Sequence, residues 1–229
     1  NLYFRLFLNR FLEKNIKIDL EKREYKYSMY LITDEDACLG KDIYQCVEES
    51  LKAGVNLVQL REKEMSTRDF YKRAKKLKAL CHSYNVPLLI SDRIDIALAV
   101  DADGVHLGQS DMPIEVAKEI IGHQKIVGIS AGNMEEAISA QKSGADYIGV
   151  GAVFTTNTKK DADYVSKETL SEMTKKLHIP VLAIGGIKLD NIDHLKNTEI
   201  DGICVISDIL NNDDCKKRSE DLLNAFREL

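Results

Sequence analysis

The sequence predicts an α/β protein, a single (β/α)₈ barrel with a short N-terminal extension, on three observations. About eight short apolar runs alternate with longer amphipathic stretches along roughly 200 of the 229 residues, which is the size of one such barrel. The runs are apolar on both faces, as are strands of a parallel sheet that helices cover. No stretch rich in proline, glycine or serine divides the chain. A doubly wound open sheet is the alternative architecture.

The apolar runs are the expected strands, because they are short and bounded by polar residues. They occupy residues 29–32, 57–60, 87–90, 104–107, 126–129, 147–150, 181–184 and 202–206. In a parallel barrel the carboxyl ends of the strands meet at one mouth, where the active site lies. The polar residues that directly follow each run are therefore the candidates for chemistry.

Several of the intervening stretches have the apolar spacing of a helix. The clearest occupy residues 67–81, 134–143 and 167–177. Ser66 and Asn133 stand where a helix N-cap is expected. Pro113 marks the start of a further helix, since proline is tolerated in the first turn. These signals place helices between the strands, as the barrel requires.

Residues 1–25 form the predicted extension, and residues 26–229 form the barrel domain. The first eleven residues are rich in aromatic side chains, but Arg5 and Arg10 interrupt them, which makes a poor signal peptide. The opening Asn-Leu-Tyr-Phe resembles part of an engineered protease-cleavage linker, although Arg5 breaks the match. A short amphipathic helix and a partly tag-derived segment are both compatible with this extension.

The amino-acid composition restricts the classes of molecule that this protein is expected to bind. The 32 Lys and Arg against 37 Asp and Glu give a net charge of −5, which argues against binding nucleic acid through a basic surface. Five widely spaced cysteines without a CxxC pair indicate cytosolic thiols rather than a disulfide framework or a zinc site. No apolar run approaches the roughly 20 residues that cross a bilayer. We expect a cytoplasmic protein with small-molecule partners and neither nucleic acid nor membrane, and homo-oligomerisation stays open.

Three alternating side chains follow the second run. Gln59, Arg61 and Lys63 point the same way on an extended strand end. An amide, a guanidinium and an ammonium on one side are suited to a phosphate or pyrophosphate. The alternative is a solvated strand end with an ion pair at Glu62.

Two aspartates follow neighbouring runs and are candidate metal ligands. Asp92 comes after the third run and Asp111 after the fourth. Two carboxylates together with substrate phosphate oxygens are the usual way in which a protein holds Mg²⁺. The alternatives are an N-cap role for Asp111 and an ion pair between Asp92 and Arg93. His106 is interpreted as a barrel-wall side chain that supports the site rather than as a ligand.

The last three loops offer groups that bind anions. After the sixth run, Thr156, Thr158 and Lys159 lie in a long loop rich in hydroxyl groups, for which a plain exposed loop is the alternative. After the seventh, Gly185-Gly186 lets backbone N–H groups approach a ligand closely. Ile206-Ser207 follows the eighth. Phosphate binding after strands seven and eight recurs in barrels.

In their order and spacing, these segments resemble the thiamine phosphate synthase family, also called thiamine phosphate pyrophosphorylase, from about Ser28 to the end of the chain. The segments are QLREK at 59–63, DADGVHLGQ at 101–109, DMP at 111–113, YIGVG at 147–151, TNTKKDA at 156–162 and AIGGI at 183–187. The resemblance implies a (β/α)₈ barrel. It also implies a transferase that joins hydroxymethylpyrimidine pyrophosphate to hydroxyethylthiazole phosphate, releasing pyrophosphate.

The resemblance also implies residue roles. The pyrimidine pyrophosphate would be held by Gln59, Arg61, Lys63, Ser91, Ser130 and Lys159. The thiazole phosphate would be held by Thr156, Thr158, Gly186, Ile206 and Ser207. Asp92 and Asp111 would bind Mg²⁺, the implied cofactor. Arg61, Lys63 and Lys159 would stabilise the departing pyrophosphate in a dissociative displacement, which makes them the expected catalytic residues.

Two positions depart from the family pattern. Ser91 stands where the family usually has Asn, and Ala152 replaces a common Pro. The related thiazole tautomerases use a His in the turn after the fifth strand, and residues 130–133 contain none. A tautomerase-like barrel, another phosphate-binding barrel and a non-catalytic thiamine-precursor-binding protein are the alternatives. The retained metal and pyrophosphate residues favour the synthase.

Overall fold

The computed structural model describes residues 27–62, 64–155 and 164–229, and in them eight parallel strands close into a TIM barrel. Each strand pairs with the next, and the last pairs with the first. The strands are β1 Met29–Ile32, β2 Leu57–Leu60, β3 Leu88–Ser91, β4 Gly104–Leu107, β5 Ile126–Ala131, β6 Tyr147–Val150, β7 Val181–Ile184 and β8 Gly202–Val205. The open-sheet alternative is therefore wrong, because β8 pairs with β1.

Helices separate the strands and cover the outside of the barrel. They are α1 Ile43–Lys52, α2 Thr67–Ser83, α3 Ile94–Ala99, α4 Ile114–Ile121, α5 Met134–Lys142, α6 Lys167–Lys176, α7 Ser207–Leu210 and α8 Cys215–Arg227. A 3₁₀ turn at Asp36–Cys38 precedes α1, and another at Ile192–Leu195 connects β7 to β8. The described residues thus carry the alternation that the sequence predicts, with a 3₁₀ turn in the seventh connection.

Strand ends differ from the prediction at three places. β3 begins at Leu88 rather than Pro87, which has no N–H group for the ladder, and it continues to Ser91, which pairs with His106. β5 extends to Ala131. β8 ends at Val205. Apolar character alone misses such ends because polar residues continue the ladder into the mouth.

The predicted helix starts at Ser66 and Asn133 are N-caps. The Ser66 hydroxyl accepts from Asp69 N at 3.2 Å, and Asn133 Oδ1 accepts from Glu136 N at 3.0 Å. Each side chain satisfies a backbone N–H that the first helical turn leaves without a partner. Pro113 itself is the cap residue of α4, and no side chain caps that helix. The proposed N-cap role of Asp111 is therefore wrong.

Two apolar layers stabilise the barrel, one between strands and helices and one inside. The inner layer consists of Tyr27, Tyr30, Ile32, Leu57, Leu89, Tyr147, Leu182 and Cys204. Successive strand residues point to opposite faces, so alternate positions fill the interior. Polar residues continue these inward positions toward the mouth, at Gln59, Ser91, His106 and Ser130, which are discussed below.

Two further observations concern the whole chain. Within the described ranges, no helix combines the length and apolar character that crossing a membrane requires. All five cysteines are buried free thiols. The predicted extension at 1–25 lies outside the described residues.

Candidate active site

The strand β2 supplies the first two candidate residues. Gln59 points into the barrel, is 2% exposed and donates from Nε2 to the Tyr30 hydroxyl at 2.6 Å. Arg61 follows the strand, its backbone N donates to Thr33 Oγ1 at 3.1 Å, and its guanidinium lies 3.8 Å from Asp34 Oδ2. Its charge is therefore only loosely paired. Lys63 lies outside the described residues.

Glu62 points the opposite way, as the alternation along an extended segment requires. Its carboxylate accepts from Arg73 of α2 at 2.6 Å, and Arg73 also binds Glu35 at 2.9 Å. Burial raises the pKa of the Glu62 carboxyl, and the bond to Arg73 opposes that rise. The sequence analysis offered an ion pair at Glu62 as the alternative for this strand end. That ion pair exists, and the Arg61 side chain still lies at the mouth.

Asp92 and Asp111 come together. Asp92 follows β3 with a φ of 59°, in the left-handed region that Asp tolerates better than most residues, and its backbone N donates to His106 O at 3.0 Å. The Asp111 carboxylate accepts from Gly108 N at 2.6 Å. The two carboxyl groups lie close enough for Asp111 to raise the pKa of Asp92. The barrel thus brings the carboxyl ends of β3 and β4 to one point.

The electrostatics of this aspartate pair are unfavourable without a counter-ion. Burial and then the negative charge of Asp111 raise the pKa of Asp92 to about 6, while Ser91 and Arg61 act in the opposite direction. The alternative ion pair with Arg93 is wrong, since Arg93 binds Asp95 at 2.6 Å. Two close carboxylates repel each other, and a proton or a cation between them relieves this repulsion.

The donor set fits a hard divalent cation. Carboxylate oxygens are the ligands that Mg²⁺ takes from proteins, and the remaining positions go to water and substrate phosphate. In the parts of the chain described by the structure, no group of three or more His, Cys, Asp or Glu side chains is arranged to hold a metal. A cation held by Asp92 and Asp111 would therefore take most of its ligands from water and substrate.

Ser91 and Ser130 lie at the same mouth. Ser91 ends β3, is 7% exposed, and its side chain acts to lower the pKa of Asp92. Ser130 lies in β5, with its Oγ 3.0 Å from His106 Nε2, and its carbonyl accepts from Gln109 Nε2 at 2.7 Å. His106 is 8% exposed on β4, so it lies in the barrel wall as predicted.

The sequence analysis missed two tyrosines beneath these residues. Tyr30 of β1 and Tyr147 of β6 join hydroxyl to hydroxyl at 2.9 Å, and Tyr147 bonds to His106 Nδ1 at 2.7 Å. A signal was available, since each tyrosine occupies an inward position of an expected strand. Both tyrosines fall within apolar runs, and hydropathy alone does not distinguish a polar network inside the barrel.

On the other side of the mouth, the described residues present backbone groups. Gly185 and Gly186 follow β7 with φ values of 98° and 68°. A Cβ at Gly186 would lie 2.4 Å from the Thr155 carbonyl oxygen, and one at Gly185 would lie 2.6 Å from Ala152 Cα. Only glycine fits at both positions. Asn191 Nδ2 donates to the Gly186 carbonyl at 2.8 Å and holds this turn.

The loop after β8 completes that side. Ile206 caps α7 and Ser207 is its first residue, so backbone N–H groups without helical partners begin here. β7 and β8 are neighbours, so this turn and the glycine pair share one edge of the mouth. Thr156, Thr158 and Lys159 lie outside the described residues.

Comparisons with known proteins agree with this architecture. A family model described as thiamine monophosphate synthase matches residues 29–209. The thiamine-phosphate synthase of Fusobacterium nucleatum is 54% identical over 198 residues, covering 86% of this chain and 96% of its own. That of Clostridium tetani is 51% identical over 201 residues, covering 88% and 96%. The structure of a thiamine phosphate pyrophosphorylase from Pyrococcus furiosus superposes with a TM-score of 0.82 at 42% identity, covering 90% of this chain and 98% of that one.

Proposed function

We propose that this chain, which belongs to the thiamine monophosphate synthase family, condenses hydroxymethylpyrimidine pyrophosphate with hydroxyethylthiazole phosphate. The products are thiamine phosphate and free pyrophosphate. The observation that carries the proposal is the convergence of Asp92 and Asp111 at the mouth beside Arg61, whose charge acts on Asp92. A pyrophosphate ester is the kind of ligand that needs both a cation and a guanidinium.

The first substrate would occupy the side of the mouth that carries charged side chains. Gln59, Arg61, Ser91 and Ser130 would contact the pyrimidine pyrophosphate. Asp92 and Asp111 would hold Mg²⁺, which supplies positive charge beside the pyrophosphate when it is bound. Lys63 and Lys159 are assigned to the same substrate on the family resemblance.

The reaction needs no nucleophile from the protein. When the bond between the pyrimidine methylene carbon and the pyrophosphate oxygen breaks, the electron-rich aminopyrimidine stabilises the cation that remains. The thiazole nitrogen then forms the new bond to that carbon. Arg61, with Lys63 and Lys159, would stabilise the charge that develops on the leaving pyrophosphate, a kind of contribution often worth about 3 kcal/mol per donor.

The second substrate would occupy the side that presents backbone. The N–H of Gly186 and the groups at Ile206 and Ser207 would hold the thiazole phosphate, because a turn without a Cβ lets an anion approach closely. Thr156 and Thr158 are assigned there on the family resemblance. Holding both substrates in line is itself a large part of catalysis.

The decisive experiment mixes the two phosphorylated substrates with Mg²⁺ and the folded protein. We expect release of pyrophosphate and formation of thiamine phosphate in equal amounts. Asp95→Ala is a matched control for Asp111→Ala, since Asp95 is an exposed acid whose partner is Arg93. Asp111→Ala should lose turnover and Asp95→Ala should keep it. Absence of product with the folded unmodified protein would refute the proposal.

A further inference from the structure

Five side chains form a continuous hydrogen-bonded row through the barrel interior, called here the polar row. It runs through Gln59, Tyr30, Tyr147, His106 and Ser130. The four links measure 2.6, 2.9, 2.7 and 3.0 Å in that order. Its members come from β2, β1, β6, β4 and β5, and the row crosses the barrel because its two middle links join strands that are not neighbours. Both of its ends are residues assigned above to the pyrimidine substrate.

The row is shielded from water. Tyr30 and Tyr147 are 0% exposed, Gln59 is 2% and His106 is 8%. Buried polar groups must find their hydrogen-bond partners within the protein, so each proton in the row has an assigned place. Losing one link leaves a buried donor or acceptor without its partner, which costs more than a surface hydrogen bond does.

Glycines make the space for the row. A Cβ at Gly128 would lie 2.1 Å from Tyr147 Cζ, and one at Gly149 would lie 3.4 Å from His106 Cε1. The Tyr147 ring also packs against the Tyr30 ring edge-on, with centroids 5.8 Å apart. The tyrosine and histidine rings are thus fixed by packing as well as by their polar atoms.

The protons of the row can be counted. Burial raises the pKa of both tyrosines well above the ordinary value, so each phenol keeps its single proton. Gln59 Nε2 donates to Tyr30, so the Tyr30 proton is directed to Tyr147. The proton left for the contact between Tyr147 and His106 is then the one on Tyr147, and His106 Nδ1 would be its acceptor. A neutral imidazole that accepts at Nδ1 carries its proton on Nε2.

We propose that the polar row holds His106 as the neutral Nε2–H tautomer and thereby turns the Ser130 hydroxyl proton toward the substrate. His106 Nε2–H donates to Ser130 Oγ, so the hydroxyl has its own proton left to donate. A donor at this place recognises a ring with an acceptor nitrogen, such as the aminopyrimidine. This assignment of a ligand rests on the proposed function. Tyr30 and Tyr147 are positioning residues that act through Gln59 and His106.

The first test measures the tautomer directly. A long-range ¹H–¹⁵N spectrum of the ligand-free protein distinguishes protonated from unprotonated imidazole nitrogens. The signals of His106, one of five histidines, are assigned by comparison with His106→Gln. At about pH 8, where exposed histidines are neutral, we expect a protonated Nε2 and an unprotonated Nδ1. A protonated Nδ1, alone or together with Nε2, would overturn the proposal.

The second test breaks the row. Tyr147→Phe removes the proton donated to His106 and keeps the ring, and Tyr30→Phe breaks the row one link earlier. For Tyr147→Phe we expect mixed His106 tautomers and a KM for the pyrimidine substrate raised about tenfold, as the loss of a buried hydrogen bond predicts. kcat and the KM for the thiazole substrate should change much less, because the lost contact is one of ground-state binding.

The control is Tyr84→Phe, which removes a hydroxyl bonded to Glu48 outside the barrel interior. It should leave the His106 spectrum and both KM values unchanged. An unaltered His106 spectrum in folded Tyr147→Phe would refute the row as the cause of the tautomer. The spectrum of the ligand-free protein requires no turnover. A failed synthase assay and a wrong tautomer are therefore separate outcomes.

Discussion

The two sides of the barrel mouth are built to hold anions in different ways. After β2, β3 and β4 the groups are charged side chains, namely Arg61, Asp92 and Asp111. After β7 and β8 the mouth presents a glycine turn and the start of α7. The charged side depends on ionisation and a counter-ion, whereas the backbone side depends on the space that a missing Cβ leaves. Changes of charge should therefore damage the first side, and added volume should damage the second.

The largest effect should come from removing charge on the first side. For Arg61→Ala we expect kcat to fall about a hundredfold or more, since the guanidinium would stabilise the departing pyrophosphate. Folding should be nearly unchanged, because the one ion pair of the Arg61 guanidinium with a described residue is a long contact of 3.8 Å with Asp34. Steady-state kinetics and a thermal melt check this. A loss of stability with normal kcat would show that Arg61 is structural.

Adding one methyl group should test the second side. Gly186→Ala places a Cβ 2.4 Å from the Thr155 carbonyl oxygen at a φ of 68°. We expect the KM for the thiazole phosphate to rise at least about tenfold, because the turn must move and the strained backbone alone costs about 1–2 kcal/mol.

Gly144→Ala is the matched control for that substitution. Gly144 has a φ of 87°, and a Cβ there meets nothing within 4 Å. Both variants carry the same kind of backbone strain, but only Gly186→Ala closes the turn. Gly144→Ala should lower stability by about 1 kcal/mol and leave both KM values unchanged. Equal KM values for the thiazole phosphate in the two variants would show that the backbone side does not bind this phosphate.

The aspartate pair predicts a stability effect with a definite pH dependence. The pKa of Asp92 is raised from 3.8 to about 6 in the folded protein, so folding favours its protonated form. Stability from this group is complete below pH 4 and is lost as the pH rises through 6. Asp92→Asn should therefore be the more stable protein at pH 7 without Mg²⁺.

The gain from Asp92→Asn should stay below about 1 kcal/mol, since the Asp92 side chain is only partly buried and solvent screens its charge. It should vanish below pH 4. Chemical denaturation at several pH values, in the presence of a chelator, measures it. Addition of Mg²⁺ should stabilise the unmodified protein and not the variant. A variant less stable than the unmodified protein at pH 7 would contradict the predicted repulsion.

The smallest effect should come from Ser207→Ala. The proposed phosphate contacts on this side are mostly backbone N–H groups, which the substitution leaves in place. We expect the KM for the thiazole phosphate to rise about threefold, as the loss of one hydroxyl contact that water replaces predicts. A rise as large as that of Gly186→Ala would show that side chains dominate this side as well.

Particular residues show how far sequence patterns predict this fold and site. The eight strands and the caps at Ser66 and Asn133 can be predicted from patterns that each span only a short stretch of the chain. The strand end at Ser91 was missed, because its position in the ladder depends on pairing with His106. The sequence indicated Asp92 and Asp111 as candidate metal ligands one at a time. Only the closed barrel shows that the two residues lie close together. Asp111 bonds Gly108 N rather than capping α4.

The order of elements and the residue types at the mouth are thus determined by the sequence alone, because hydropathy period and cap chemistry act over short stretches. The meeting of Tyr30 with Tyr147 was decided by the tertiary structure. These tyrosines come from β1 and β6, which are not neighbours, and they meet only because the sheet closes and Gly128 leaves room for the Tyr147 ring. The elevated pKa of Asp92 has the same origin. It arises from burial and from a carboxylate on another strand end, both of which exist only once the barrel has formed.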